Sequence, residues 1–214
     1  MFTRAIVGLS ALGLGVILAL CAGFPDTLAA QGVSANKQFP LREAMRKLWE
    51  DHVTWTRLYI VSAVADLPDK EATAQRLLQN QADIGSAVAP FYGKPAGDKL
   101  TALLRTHILT AVDLIAAAKQ GDTAKVKDAS ARWYANADDI AGFLNGANPK
   151  NWPLAEMKSM MHGHLDLTLA EAVARVKGDW AADVAAYDKV HQQILEMADM
   201  LSTGIMRQFP QKFR

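Results

Sequence analysis

From about residue 40 to the C-terminus, apolar positions recur with the period of a helix. Leu41, Met45, Leu48, Trp55, Tyr59 and Ala63 form one such stripe. Pro40-Leu41-Arg42-Glu43 predicts its start, with proline in the first turn and an early glutamate, and Asp66-Leu67-Pro68-Asp69 predicts its end. A second helix is expected as far as Phe91, stopped by Tyr92-Gly93-Lys94-Pro95, and a third from Asp98 to Lys119. Gly121-Asp122 turns into a fourth, and the stretch from Asn145 to Pro153 reads as a Gly/Asn/Pro loop. A fifth begins at Pro153-Leu154-Ala155-Glu156, and Gly178-Asp179 leads into a sixth that ends near Gly204. No segment alternates with the period of a strand. The fold class expected is all-α, a bundle of three related antiparallel hairpins of about six helices, forming one domain over 40–214.

The three hairpins share a pattern. His52, His107 and His164 recur at intervals of 55 and 57 residues, and Gly121 and Gly178 each follow their histidine by 14. In the returning helices, Arg76 to Ile84 matches Arg132 to Ile140, so Asn80 takes the place of Asn136. Lys189, Gln193, Glu196 and Met197 stand at the corresponding places of the third hairpin. A core-facing polar side chain costs free energy unless it finds a partner. Counting equal distances from each turn sets His52 level with Asp83, His107 with the Asn136 region, and His164 with the stretch from His191 to Gln193.

Such a layer has two readings. Histidine–carboxylate and histidine–amide bonds can fix hairpin register, as buried polar residues do in coiled coils. The same groups can hold a ligand, because imidazole with carboxylate suits a divalent transition metal such as Zn, Cu or Ni, and helix bundles build sites from inward side chains. The candidate ligand set is His52, Asp83, His107, Asp139, His164, His191 and Glu196. In the third hairpin Met157, Met161 and His164, with Met197 and Met200 beyond, add thioethers, the donors that select copper(I), although a methionine stripe at helical spacing also fills a core.

The first thirty residues read as a targeting segment. Arg4 is followed by an apolar run from Ala5 to Phe24, a breaking Pro25, and small residues at Ala29 and Ala30. That is the layout of a secretory signal peptide over 1–30, cleaved near Ala30, and it implies a periplasmic or secreted protein. Left uncleaved, the run would anchor the chain in the inner membrane, its only expected contact with lipid. Residues 31–39 are expected to be a polar lead-in. Cys21 is the only cysteine in the chain, so cleavage leaves neither a disulfide nor a thiol ligand. With 23 Lys and Arg against 22 Asp and Glu, the charge is too balanced for a nucleic-acid partner.

No Gly-rich phosphate loop, nucleophile elbow, His-Glu-x-x-His or haem-attachment motif occurs. The segments Leu48-Trp49-x-x-His52-Val53-x-Trp55-Thr56-Arg57 and Arg76-Leu77-Leu78-x-Asn80-Gln81-x-Asp83-Ile84-Gly85 resemble a group of small exported bacterial proteins. So do Asn136-Ala137-x-Asp139-Ile140 and Gln208-Phe209-Pro210. The resemblance covers most of the chain after the apolar run and implies an exported helical bundle. Some members carry a glycosyltransferase label, but no catalytic residue carries over. Three function classes follow. One is a bundle that binds a metal or small ligand. Another is a structural or partner-binding module of the cell envelope. The last is an enzyme, with glycosyl transfer as its named form.

Overall fold

The computed structural model describes residues 27–214, with side chains from Phe39 onward. The helices are α1 (Thr27–Val64), α2 (Lys70–Tyr92), α3 (Lys94–Gln120), α4 (Thr123–Ala147), α5 (Leu154–Lys177) and α6 (Trp180–Gln208), and a 3₁₀ turn, Pro210–Phe213, follows. Among the described residues there is no strand, so the all-α hairpin architecture stands. Most of the expected export segment lies outside the described residues.

Each Gly-Asp pair both ends one helix and begins the next. Gly121 and Gly178 adopt left-handed backbone with φ of 68° and 72°, a conformation glycine enters without a Cβ clash. The aspartate that follows closes the motif: Asp122 N donates to the Ala117 carbonyl and Asp179 N to that of Ala174. Its side chain then caps the next helix, Asp122 accepting from Lys125 N and Asp179 from Ala182 N, each at 3.0 Å. In the first hairpin Asp66 holds the equivalent place, 14 residues beyond His52, with φ of 51°. Aspartate is one of the few residues that tolerate this region.

Four boundaries differ from the sequence reading, one of them the expected loop from Asn145, into which α4 continues as far as Ala147. Residues 31–39 belong to α1, which starts at Thr27 and carries Pro40 inside it. A proline within a helix forfeits one backbone bond and bends the axis without having to end it. Next, α3 restarts at Lys94 directly after Gly93, whose φ of 87° allows the chain to reverse in one residue. Finally, α6 passes through Gly204 to Gln208. Gly204 serves packing: a Cβ there would sit 2.0 Å from Trp152 Nε1.

The helices form a closed ring in which each packs on the next and α6 returns to α1. The forward helices α1, α3 and α5 also touch one another across the centre. The main core gathers Met45, Trp49, Ile84, Leu104, Trp133, Ile140, Leu165, Ile194 and Ile205, among others. A smaller apolar cluster around Tyr59, Ile60, Leu77, Ile108 and Ile115 joins α1, α2 and α3. Among the described residues, α3 alone is long and apolar enough to cross a membrane. Its buried side, which includes Leu100, Leu104, Ile108 and Leu114, serves the core of the ring.

Candidate functional site

His52, His107 and His164 come together where α1, α3 and α5 meet. They are 3%, 2% and 4% exposed, so all three rings are inside the protein. Ring centroids are 5.7 Å apart for His52 and His164, 6.3 Å for His107 and His164, and 6.5 Å for His52 and His107. The three forward helices run the same way, so positions matched along the sequence stand at one height. Three residues earlier on each helix lie Trp49, Leu104 and Met161, all buried; four residues later lie Thr56, Ala111 and Thr168.

The outer helix of each hairpin holds its ring. His107 Nδ1 lies 3.1 Å from Asn136 Oδ1, and His164 Nδ1 lies 3.1 Å from Gln193 Oε1. An amide oxygen can only accept, so these two rings carry their proton on Nδ1 and a lone pair on Nε2. The nitrogen of each amide donates back to the carbonyl four residues before the histidine: Asn136 to Leu103, and Gln193 to Met160. Both amides therefore grip the forward helix at two points.

The first hairpin divides this task between two residues. Asn80 donates to the Leu48 carbonyl at 2.9 Å, the backbone contact that Asn136 and Gln193 make in their hairpins. Gln81, 29 residues after His52, stands against its Nδ1 at 3.4 Å through the amide nitrogen. That nitrogen also donates to the Leu77 carbonyl at 2.7 Å, and Gln81 Oε1 is buried without a partner. The nitrogen donates to Asn80 Oδ1 at 3.1 Å as well, so two acceptors hold the amide in this orientation and His52 faces a donor where the other two rings face an oxygen.

Burial is the first cause that keeps all three rings neutral. It pushes His107 down to about 3, with His164 nearby adding to the effect, and His164 down to about 4. His52 is held well below the ordinary histidine value by burial, then by His164 and His107, with the Gln81 amide opposing. Among the described residues, the only hydrogen bonds of these rings are those at Nδ1. All three histidines also line a cavity of about 40 Å³. Its walls are apolar, built from Ile108, Ala111, Leu114, Ile115, Trp133, Leu169, Ala172 and Val176. Thr56 and Thr168 also line it, but their hydroxyls donate to the carbonyls of His52 and His164.

The other expected ligands are elsewhere. Asp83 is partly exposed, accepts from Gln79 and lies 3.8 Å from Arg76. Asp139 is exposed, and Glu196 is exposed and accepts from Gln192. His191 is bonded to Glu50 at 2.8 Å across the α1–α6 seam, away from the axis. Asp83 comes two residues after Gln81, which turns it off the face that meets the ring; Asp139 and Glu196 come three residues after Asn136 and Gln193, nearly one turn further along the helix, where both are exposed. As they stand, no three or more His, Cys, Asp or Glu side chains among the described residues are arranged to hold a metal ion. Three nitrogens at about 2.0–2.1 Å from one ion would bring ring centroids to about 5–5.5 Å. The three rings stand up to about 1 Å wider than that.

One charged cluster near the axis escaped the sequence reading. Glu171 and Asp183 are both 1% exposed and share Arg57, whose Nη1 lies 2.7 Å from Glu171 and 2.8 Å from Asp183. Arg175 adds a bond to Asp183 at 3.1 Å. The cluster ties α1, α5 and α6 together. Burial pushes Glu171 up to about 7 against the pull of Arg57. Its acids occur in the third hairpin alone, since the residues matching Glu171 are Tyr59 and Leu114.

Compared with known proteins, the chain matches no protein family, no curated protein and no solved structure.

Proposed function

We propose that the protein binds a transition-metal ion on the bundle axis through Nε2 of His52, His107 and His164. The observation that carries this reading is the hydrogen bonding at Nδ1. A histidine that ligates a metal through one nitrogen characteristically donates its other N–H to a carbonyl or carboxylate, which fixes the tautomer and aims the lone pair. Asn136 and Gln193 supply that arrangement for two rings, whereas Gln81 turns its amide nitrogen to the third. Depressed proton affinity leaves the lone pairs free near neutral pH, when a metal must compete with protons for them.

The cavity supports an ion over an organic ligand. A volume of about 40 Å³ takes an ion with a water or two. A ligand the size of benzene fits a cavity nearer about 150 Å³. Closing the rings onto an ion requires side-chain rotation, whereas an organic guest would require the helices to part. Register alone accounts for the bonds at Nδ1 but gives the three Nε2 atoms no task. The carboxylates expected from sequence take no part, so the donor set reduces to three imidazoles. The apolar N-terminal run, read as an export signal, would put this site outside the cytoplasm.

The test is calorimetry on untagged, metal-stripped protein with zinc, copper and nickel. One equivalent of saturable binding at neutral pH, lost in the His107→Ala/His164→Ala double variant, is the expected result. No saturable binding in the intact protein would leave only the register role.

A further inference from the structure

We infer that the ion suited to this site is copper in its monovalent state, held by three neutral nitrogens with no anionic partner. The inference rests on the metal reading above and sharpens it. Its ground is the charge around the three rings. No carboxylate belongs to the layer: Asp139 and Glu196 are exposed, and Asp83 faces Gln79 and Arg76. The two buried acids nearest the axis, Glu171, seven residues beyond His164, and Asp183 are both bonded to Arg57. Around the cavity, Ile108, Leu114, Ile115 and Leu169 offer only hydrocarbon, and Trp133 adds ring surface with a buried, unpartnered indole N–H but no negative charge.

Charge then decides between oxidation states. The cost of taking an ion out of water grows as the square of its charge. For the same size and surroundings a double charge therefore costs about four times as much as a single one. A divalent ion with three neutral donors in this cavity would need a hydroxide or other anion as a fourth ligand. The threonine hydroxyl protons one turn away are already committed to helix carbonyls. A filled-shell monovalent ion is satisfied by three donors in a plane and brings half the charge. Beneath the layer the third hairpin carries Met161, buried and three residues before His164, where the other two hairpins have Trp49 and Leu104. A thioether is a donor that favours copper(I) over harder divalent ions.

The experiment titrates the full-length, metal-stripped protein without oxygen. Copper(I) is delivered from a chromophoric chelator such as bicinchoninate, and copper(II), zinc(II) and nickel(II) are measured in parallel. One equivalent of copper(I) is expected, bound at least 100-fold more tightly than any of the divalent ions. Binding is expected to vanish in His107→Ala/His164→Ala and to survive in the surface pair His162→Ala/His191→Ala. If the first double variant loses its helical circular dichroism, the single His164→Gln variant carries the same comparison. Copper(II) or zinc(II) held as tightly as copper(I), and lost with the same histidines, overturns the monovalent assignment and leaves the metal reading standing. Binding of none of the four ions overturns both.

Discussion

His107 and Asn136, 29 residues apart on neighbouring helices, meet ring to amide at 3.1 Å inside the bundle. The same interval separates His52 from Gln81 and His164 from Gln193. Each pair pins one hairpin at one height, and together the pairs bring three imidazoles to the axis. Replacing Asn136 by leucine fills similar space but leaves a buried Nδ1–H unpaired. The expected loss is about 1–3 kcal/mol in urea unfolding. An unchanged midpoint would mean that the bond contributes nothing to register.

Acid should destabilise the protein in a defined window. The unfolded histidines take up protons near 6.5, whereas in the fold His164 does so at about 4 and His107 at about 3. Between those values the unfolded state binds more protons. The stability from these rings is therefore complete above about 6.5 and is lost as pH falls toward 3, with a limiting slope of about 1.4 kcal/mol per pH unit for each ring. Glu171 works in the opposite direction. Its folded value of about 7 lies above its ordinary 4.5, so its contribution weakens as pH rises through that interval. Thermal melts from pH 7.5 to 4 should show a falling midpoint, and the Glu171→Gln variant should fall more steeply than the parent.

Arg57 is the cation shared by two buried acids. Arg57→Ala leaves Glu171 and Asp183 facing each other with only Arg175 nearby, and should cost about 3–5 kcal/mol. Adding Glu171→Gln should recover part of that loss, because a buried acid that has lost its cation is then gone. Denaturant midpoints of the single and double variants measure both effects, and a double variant no better than the single would refute the shared-cation account.

Gly204 marks the closest approach of the Trp152 ring to α6. A Cβ there would meet Trp152 Nε1 at 2.0 Å, and the ring is buried on all sides. Gly204→Ala should therefore destabilise by about 1–3 kcal/mol despite alanine's better helix propensity. A rise in melting temperature would show that the contact yields easily.

The hairpins were legible in the sequence because their stripes are long and their stops are chemically distinct. Gly121 and Gly178 declare themselves as turns, and His107 opposite the Asn136 region follows from counting back from the turn. Asp66 did not declare itself, since a left-handed aspartate looks like any other loop acid until its distance from His52 is noticed. Gly204 misled for the opposite reason: a glycine kept for packing resembles one kept for a helix stop. The ligand set was half legible. The histidines were found by their recurrence, but Asp83, Asp139 and Glu196 were matched by residue type without regard to face. In the first hairpin, aligning Asn80 with Asn136 hid Gln81, because there the ring contact and the backbone contact fall on adjacent residues. The Arg57–Glu171–Asp183 cluster joins three helices and leaves no periodic trace.

The most direct measurement is ¹⁵N NMR of the imidazole rings, recorded with and without one equivalent of a diamagnetic ion, copper(I) or zinc(II). In the metal-free protein near neutral pH, His107 and His164 should appear as neutral rings protonated at Nδ1. On adding the ion, the Nε2 resonances of His52, His107 and His164 should shift together while Nδ1 of His107 and His164 stays protonated, and His162 and His191 should not move. A response confined to His162 or His191, or none in the three buried rings, would contradict a metal site on the bundle axis.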